Sequence, residues 1–324
     1  MKRISNIYGR IITLENLQLA DLKASKRKSG QYGVIQHRSN WQENLLALHE
    51  SLKNKTYKTS PYTTFKIYEP KEREIFRLPY YPDRILHHAV MNIIEPVFVK
   101  TFTADTYSCI KKRGIHKAAR NLRKALNDEA ATKYCLKLDI KKFYPSVDHT
   151  ILKNLLRRKF KDEDLLWLLD EVIDSAEGLP IGNYLSQFLA NYYLTWFDHW
   201  IKETMQVRYY FRYADDIVIL SDNKEHLHEL LTEIRIYLST RLKLTVKENY
   251  QVFPVHARGI DFVGYKFYHT HTLLRKSIKK RFARMVAKAP RMQSVVSYYG
   301  WAKHCNSKNL LNKIINQKSE SWKS

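Results

Sequence analysis

Two adjacent carboxylates, Asp215 and Asp216, sit between two strand-forming runs, Tyr209-Tyr210-Phe211-Arg212-Tyr213-Ala214 before them and Ile217-Val218-Ile219-Leu220 after. Aromatic and β-branched residues favour strands, so the pattern predicts a hairpin with acids at its tip. An Asp pair in a turn is ordinarily only a turn, because Asp is comfortable there. Here both flanks are apolar enough to be buried, which predicts a tip displayed by a rigid sheet. A third acid is offered the same way. Tyr134, Leu136, Leu138 and Ile140 alternate with Cys135, Lys137 and Asp139, as in a strand that buries one face and presents Asp139 on the other. Three carboxylates converging from neighbouring strands repel one another unless cations lie between them. Two Mg²⁺ ions about 3.5–4 Å apart meet that need, and such a pair activates an attacking hydroxyl and neutralises phosphates in nucleotidyl transfer.

The elements that must hold these acids read as a mixed chain. Residues up to about 60 are basic and helical, with apolar positions Leu14, Leu17, Ala20, Leu22, Leu45, Leu46, Leu48 and Leu52. Phe65-Lys66-Ile67-Tyr68 and Ile75-Phe76-Arg77-Leu78, punctuated by Pro70, Pro79 and Pro82, predict a small sheet. Helices are expected over about 84–100 and 115–127, and a further one opens at Asp148, which reads as its cap ahead of Ile151, Leu152, Leu155 and Leu156. Towards the end, Ile278, Phe282, Met285, Val286 and Ala289 recur at helical spacing, with Lys279, Lys280, Arg281, Arg284 and Lys288 around them until Pro290 stops the helix.

Charge points to the partner. The 324 residues carry 56 Lys+Arg against 32 Asp+Glu, a net +24, and residues 272–324 alone hold thirteen Lys/Arg against Glu320. A face built for solubility interleaves both signs, whereas this one suits a polyanion, above all nucleic acid. With 44% of residues apolar the chain is too hydrophobic to be disordered, and it contains no membrane-length apolar run, so it reads as soluble and intracellular. Cys109, Cys135 and Cys305 lack disulfide or zinc spacing and read as ordinary buried thiols. The thirteen histidines show no zinc-ligand pattern and there is no Walker-type phosphate loop.

In order, Asp139-Ile140-Lys141-Lys142-Phe143-Tyr144, Gly178-Leu179-Pro180-Ile181-Gly182-Asn183-Tyr184-Leu185-Ser186-Gln187, Tyr213-Ala214-Asp215-Asp216 and Phe262-Val263-Gly264-Tyr265 resemble the successive motifs of reverse transcriptases. Upstream, Arg77-Leu78-Pro79-Tyr80-Tyr81-Pro82-Asp83-Arg84 and Tyr107-Ser108-Cys109-Ile110-Lys111-Lys112-Arg113-Gly114-Ile115-His116 resemble the fingers motifs of the bacterial branch shared with group II intron enzymes. Within that branch the sequence most resembles the reverse transcriptases of diversity-generating retroelements, since Ile181-Gly182 and Ser186-Gln187 stand where relatives carry Gln-Gly and Ser-Pro.

The resemblance implies an α+β, right-hand polymerase: a basic helical N-terminal extension (1–60), interleaved fingers and ferredoxin-like palm (61–271) and a basic helical thumb (272–324). It makes Asp139, Asp215 and Asp216 the catalytic carboxylates, holding two Mg²⁺ (Mn²⁺ substituting) with the carbonyl of Ile140. It places Arg73, Arg77, Lys142, Phe143, Tyr144, Ile181 and Gly182 around the incoming nucleotide, with Tyr144 against a ribose 2′-hydroxyl. Gly264 and Tyr265 fall at the primer grip, and Lys247 near a proton donor for pyrophosphate. Arg275, Lys276, Lys279, Lys280 and Arg284 are the expected phosphate contacts. Ile181 offers only aliphatic surface where relatives have glutamine, and one hydrogen bond of about 0.5–1.5 kcal/mol fewer relaxes nucleotide discrimination roughly two- to tenfold. The implied activity is error-prone, adenine-directed copying of a template-repeat RNA for retrohoming, in a bacterial, archaeal or phage-encoded cytoplasmic protein. The implied partners are template RNA, RNA/DNA duplex, deoxynucleotides and an oligomeric accessory variability protein, with no membrane. Ordinary-fidelity bacterial reverse transcription, a two-metal nuclease and a noncatalytic RNA-binding scaffold are the alternatives.

Overall fold

The computed structural model describes residues 3–68, 72–287 and 292–312. Pro70, Lys288, Ala289 and Pro290, like the ends of the expected N-terminal extension and thumb, lie outside the described residues. The chain forms two compact units, each assembled from three separate segments.

One unit comprises residues 1–103, 141–199 and 237–245. Its N-terminal part is helical, over Tyr8–Ile12, Leu14–Ser25, Tyr32–Ser39 and Trp41–Lys53, ahead of the apolar helix Ile85–Thr101. Leu17, Ala20, Leu45, Leu48 and Leu52 are buried as their helical spacing requires, but Leu22 and Leu46 are exposed. The 3.6-residue period explains both corrections: each lies one or two residues from its helix's buried stripe and is thereby turned away from it. A hairpin of β1 (Thr63–Tyr68) and β2 (Glu72–Arg77) pairs Thr63 with Arg77.

Buried Asp162 ties this unit's first residues to its middle segment. One carboxylate oxygen accepts from the backbone N–H of Ile7 (2.6 Å) and Tyr8 (2.9 Å), and the other from Leu165 (3.1 Å), capping helix Glu163–Ile173. Burial pushes this carboxyl's pKa up, but the converging N–H groups outweigh it and hold the pKa below its ordinary value. A depressed carboxylate contributes stability above the unfolded-state pKa, and that contribution disappears as pH falls through the folded value. We therefore expect Asp162→Ala to cost about 2–3 kcal/mol at pH 7 in denaturant titrations. The wild-type advantage should vanish in acid.

The other unit comprises residues 104–140, 200–236 and 246–324. Its main sheet consists of β3 (Tyr134–Asp139), β4 (Tyr209–Tyr213), β5 (Asp216–Ser221) and β6 (Gln251–Pro254), antiparallel throughout in the order β4-β5-β3-β6. Taken with the intervening helices, this order is that of a ferredoxin-like fold. Cys135, Phe211, Val218, Leu220 and Phe253 share a core with helix Gly114–Leu126 and with a second sheet, β7 (Ile260–Phe262), β8 (Tyr265–Phe267) and β9 (Thr272–Leu274). Leu136 and Leu138 are buried as the alternation of β3 predicts, with Lys137 and Asp139 partly exposed on the other face, where Cys135 is the one buried departure. Of the three thiols expected to be buried only Cys135 is; Cys305 is half-buried, and Cys109 is exposed because it stands in a turn with φ +58°.

Helices Lys276–Ala287 and Met292–Ala302 follow β9; Phe282 and Val286 are buried and Phe282 stacks on Tyr298 at 5.1 Å. Among the described residues no helix is long and apolar enough to cross a membrane.

Candidate active site

The three acids meet on the main sheet. Asp139 ends β3 and stands opposite Asp216, which opens β5; Asp216 also pairs with Tyr213 at the end of β4, leaving Ala214 and Asp215 as a two-residue turn. Such a turn needs a positive φ, and Ala214 supplies +56° at roughly 1–2 kcal/mol, a cost that glycine would avoid. Two groups hold it there. Ser108 Oγ accepts from Ala214 N at 3.0 Å, and the guanidinium of Arg212 donates to the Ala214 carbonyl at 3.0 Å. Arg212 is fully buried, with its backbone N–H on the Asp105 carbonyl and its carbonyl accepting from Tyr107 N. Neither Ser108 nor Arg212 stands out among the candidate residues of the sequence, although a charged residue in a strand of buried aromatics already requires bonded partners.

Charge dominates this site. The Lys247 ammonium pairs with the Asp139 carboxylate, and Lys247 N donates to the Asp139 carbonyl at 2.8 Å. Lys137 Nζ pairs with buried Asp216 Oδ1 at 3.4 Å, a long contact that leaves this oxygen short of a close donor. Burial, then the hydrogen bond and charge of Asp139, push Asp215 up to about 7. Burial pushes Asp216 up to about 6 against the pull of Lys137. Among the described residues no three such side chains are gathered as a preformed cation cage. The donor set nevertheless suits a hard divalent cation: carboxylate oxygens only, three acids against the two ammonium groups of Lys137 and Lys247.

The candidate nucleotide residues of the other unit are linked by backbone contacts. Leu179 N donates to the Tyr144 carbonyl at 2.8 Å, and Phe76 N to the Ile181 carbonyl at 2.8 Å. The 178–182 loop thus joins the turn bearing Phe143 and Tyr144 to strand β2, which carries Arg73 and Arg77. Glycine is required twice in this loop. At Gly178 (φ +60°) a Cβ would lie 2.6 Å from the Tyr144 and Pro145 carbonyl oxygens, and at Gly182 (φ +126°) it would lie 2.5 Å from that of Phe76. Phe143 is buried, Tyr144 and Ile181 are partly exposed, and Lys142, Arg73 and Arg77 are exposed.

Gly264, with Val263, makes the tight β7–β8 turn, both at positive φ. Tyr265 is wholly buried with its hydroxyl on the Trp301 carbonyl at 3.0 Å, so its ring packs inward and is not presented at the surface of this hairpin. A Cβ at Gly264 would stand 2.2 Å from the Trp301 ring and 3.0 Å from Ile278. We expect Gly264→Ala to cost about 2–4 kcal/mol, seen as a lowered Tm, because both the backbone and the ring packing must yield. Arg275 is engaged by Asp261 at 2.5 Å, while Lys276, Lys279, Lys280 and Arg284 are exposed without carboxylate partners among the described residues. Those four remain available to phosphate.

Residues 69–267 match the family model "Reverse transcriptase (RNA-dependent DNA polymerase)". The chain is 25% identical over 278 residues to protein YkfC of Escherichia coli K12, covering 71% of each. It is 20% identical over 299 residues to the group II intron-encoded protein LtrA of Lactococcus lactis subsp. cremoris, covering 69% of this chain and about half (49%) of LtrA. In fold it is similar to telomerase from Candida albicans in complex with a fragment of telomeric RNA, with TM-score 0.53, 11% identity, 86% of this chain covered and 60% of the other. The α+β right-hand polymerase fold, the order of the acids along the sheet and the span of the family match agree: the chain belongs to the reverse transcriptase family, with bacterial group II intron relatives.

Proposed function

We propose that this protein copies an RNA template into DNA by adding deoxynucleotides to a primer terminus, and that it does so with relaxed fidelity, as in diversity-generating retroelements. The observation that carries the polymerase reading is the facing of Asp139 and Asp216 across β3 and β5 with Asp215 in the adjoining turn. Two magnesium ions, when bound by these carboxylates, supply the charge that activates the primer hydroxyl and stabilises departing pyrophosphate. The chain's own part is to fix the acids on a rigid sheet, to orient Asp139 through Lys247, and to hold RNA through exposed cations of helix Lys276–Ala287.

Relaxed fidelity rests on Ile181. Its carbonyl is engaged by Phe76 N and its side chain has no hydrogen-bonding group, so selection at this position is by shape alone. The remaining partners of this reading are a structured template-repeat RNA and a small accessory protein, since phosphate contacts carry little sequence information.

The test is cDNA synthesis on the cognate RNA with Mg²⁺, with and without the accessory protein, followed by sequencing. Acid-dependent cDNA with errors concentrated at one template base is the expected result, and Ile181→Gln should lower that error rate roughly two- to tenfold. Accurate cDNA would leave the polymerase and remove the retroelement assignment; no acid-dependent product would remove both.

A further inference from the structure

The two sheets of the second unit share no strand pairing: β4-β5-β3-β6 and β7-β8-β9 are separate among the described residues. The acids stand on the first, and the turn of Val263 and Gly264 on the second. A common apolar core presses the two sheets together. Hydrophobic contact is non-directional, so it resists separation far better than sliding. Chemistry between a group held on one sheet and ions held on the other needs more, because a displacement of about 1 Å costs on the order of 100-fold in rate. A directional link between the sheets is required, and one side chain supplies it.

Lys137 lies two residues before Asp139 on β3, hence on the same face. Opposite it on β5 is Val218, with Asp216 the diagonal neighbour, a separation that a long side chain spans. Its ammonium pairs with Asp216 Oδ1 at 3.4 Å and donates to the backbone carbonyl of Asp261 on β7. From there the connection continues. The Asp261 carboxylate accepts from Arg275 Nε at 2.6 Å, and Arg275 N donates to the Gly264 carbonyl at 3.0 Å. Lys137, Asp261 and Arg275 therefore join an acid to the turn, and all belong to the second unit. Lysine suits the junction: one ammonium carries three donors, enough for a carboxylate and a carbonyl at once, on a stem that reaches both.

We propose that Lys137 is a positioning residue for nucleotide addition: it keys the β7–β8 hairpin to Asp216 and, with Asp261 and Arg275, fixes where that hairpin stands relative to the acids. The reaction and the hairpin's cargo, a primer terminus, rest on the reverse-transcriptase reading; the tether does not.

The experiment compares the full chain with Lys137→Met, which keeps a long stem and removes the ammonium, with Asp261→Ala, and with the double variant. Three quantities are read: single-deoxynucleotide addition to a primer on RNA, Mn²⁺ binding by electron paramagnetic resonance, and hydrogen exchange of the 260–267 amides. Lys137→Met should lower kcat about 10- to 100-fold with the nucleotide KM within about twofold of wild type, because the candidate nucleotide residues lie on segments of the other unit. Mn²⁺ should bind at least as tightly as in wild type, since an ammonium and a metal ion compete for the same oxygen. Exchange over 260–267 should quicken. Asp261→Ala, which removes only the Arg275 leg, should show the same effects at smaller size, and it carries the test by itself if Lys137→Met does not fold. The double variant should be no slower than Lys137→Met, because both changes cut one path. A kcat equal to that of wild type, losses that multiply in the double variant, or unaltered exchange overturns the proposal. So does a loss of rate with weaker Mn²⁺ binding, which would make Lys137 a support of the ion site alone. Quickened exchange in a chain whose wild type adds no nucleotide keeps the tether and sinks the polymerase reading.

Discussion

Replacing Asp215 and Asp216 together with asparagine should reduce deoxynucleotide addition by a thousandfold or more, about 4 kcal/mol in the barrier, while leaving the folded protein at least as stable as wild type. The two effects have one cause. Burial and the neighbouring Asp139 raise the proton affinity of these carboxylates, which means that the folded state resists their ionisation. A carboxyl with a raised pKa is best tolerated below its unfolded value and costs stability as pH rises through the folded value. At pH 8 the acids are therefore a burden on the fold that neutral asparagine removes, by about 1–2 kcal/mol. Primer-extension rates and thermal melts at pH 8 check both halves. Loss of activity together with a lowered Tm would show that the acids serve the fold, and retained activity would remove them from the chemistry.

The second large effect is on sugar choice. Tyr144→Ala should narrow the preference for deoxynucleotides over ribonucleotides by about 10- to 100-fold, read as the ratio of kcat/KM values in single-nucleotide addition. The variant should fold normally, because its turn is held through the backbone: the Tyr144 carbonyl accepts from Leu179 N, and Gly178 packs directly on that carbonyl. Neither contact uses the ring, which packs edge-on against its neighbour Phe143 at 5.6 Å. Tyr144→Phe, which keeps the bulk, should retain the preference; a loss as large in Tyr144→Phe would refute a steric role.

The acid-bearing hairpin was legible because period-two alternation and an Asp-Asp interruption are local signals. Asp148 was legible as a cap for the same reason, and its side chain accepts from Ile151 N as expected. What escaped depends on residues far apart in sequence. Ser108 grips Ala214 from 106 positions away, and Asp162 reaches Ile7 across 155. The packing of Tyr265 was not legible either: its ring lies against Trp301 with its hydroxyl on the Trp301 carbonyl, a neighbour that only the folded chain supplies. The exposure of Leu22 and Leu46 shows the converse: apolar residues counted by type, without angular position, overstate the core.

The segmental make-up of the two units bears on synthesis of the protein. β3, which carries Asp139, lies between β5 and β6, so a growing chain exposes this apolar strand without an edge partner until residue 221 has been made, and without its second until residue 254. The other unit is likewise incomplete until residue 245. Folding must then proceed late and through long loop closures, which are slow and leave strand edges open to wrong pairing. Nascent chains of intermediate length should depend on chaperones. Fragments cut between 140 and 245 should aggregate instead of yielding an independently folded half.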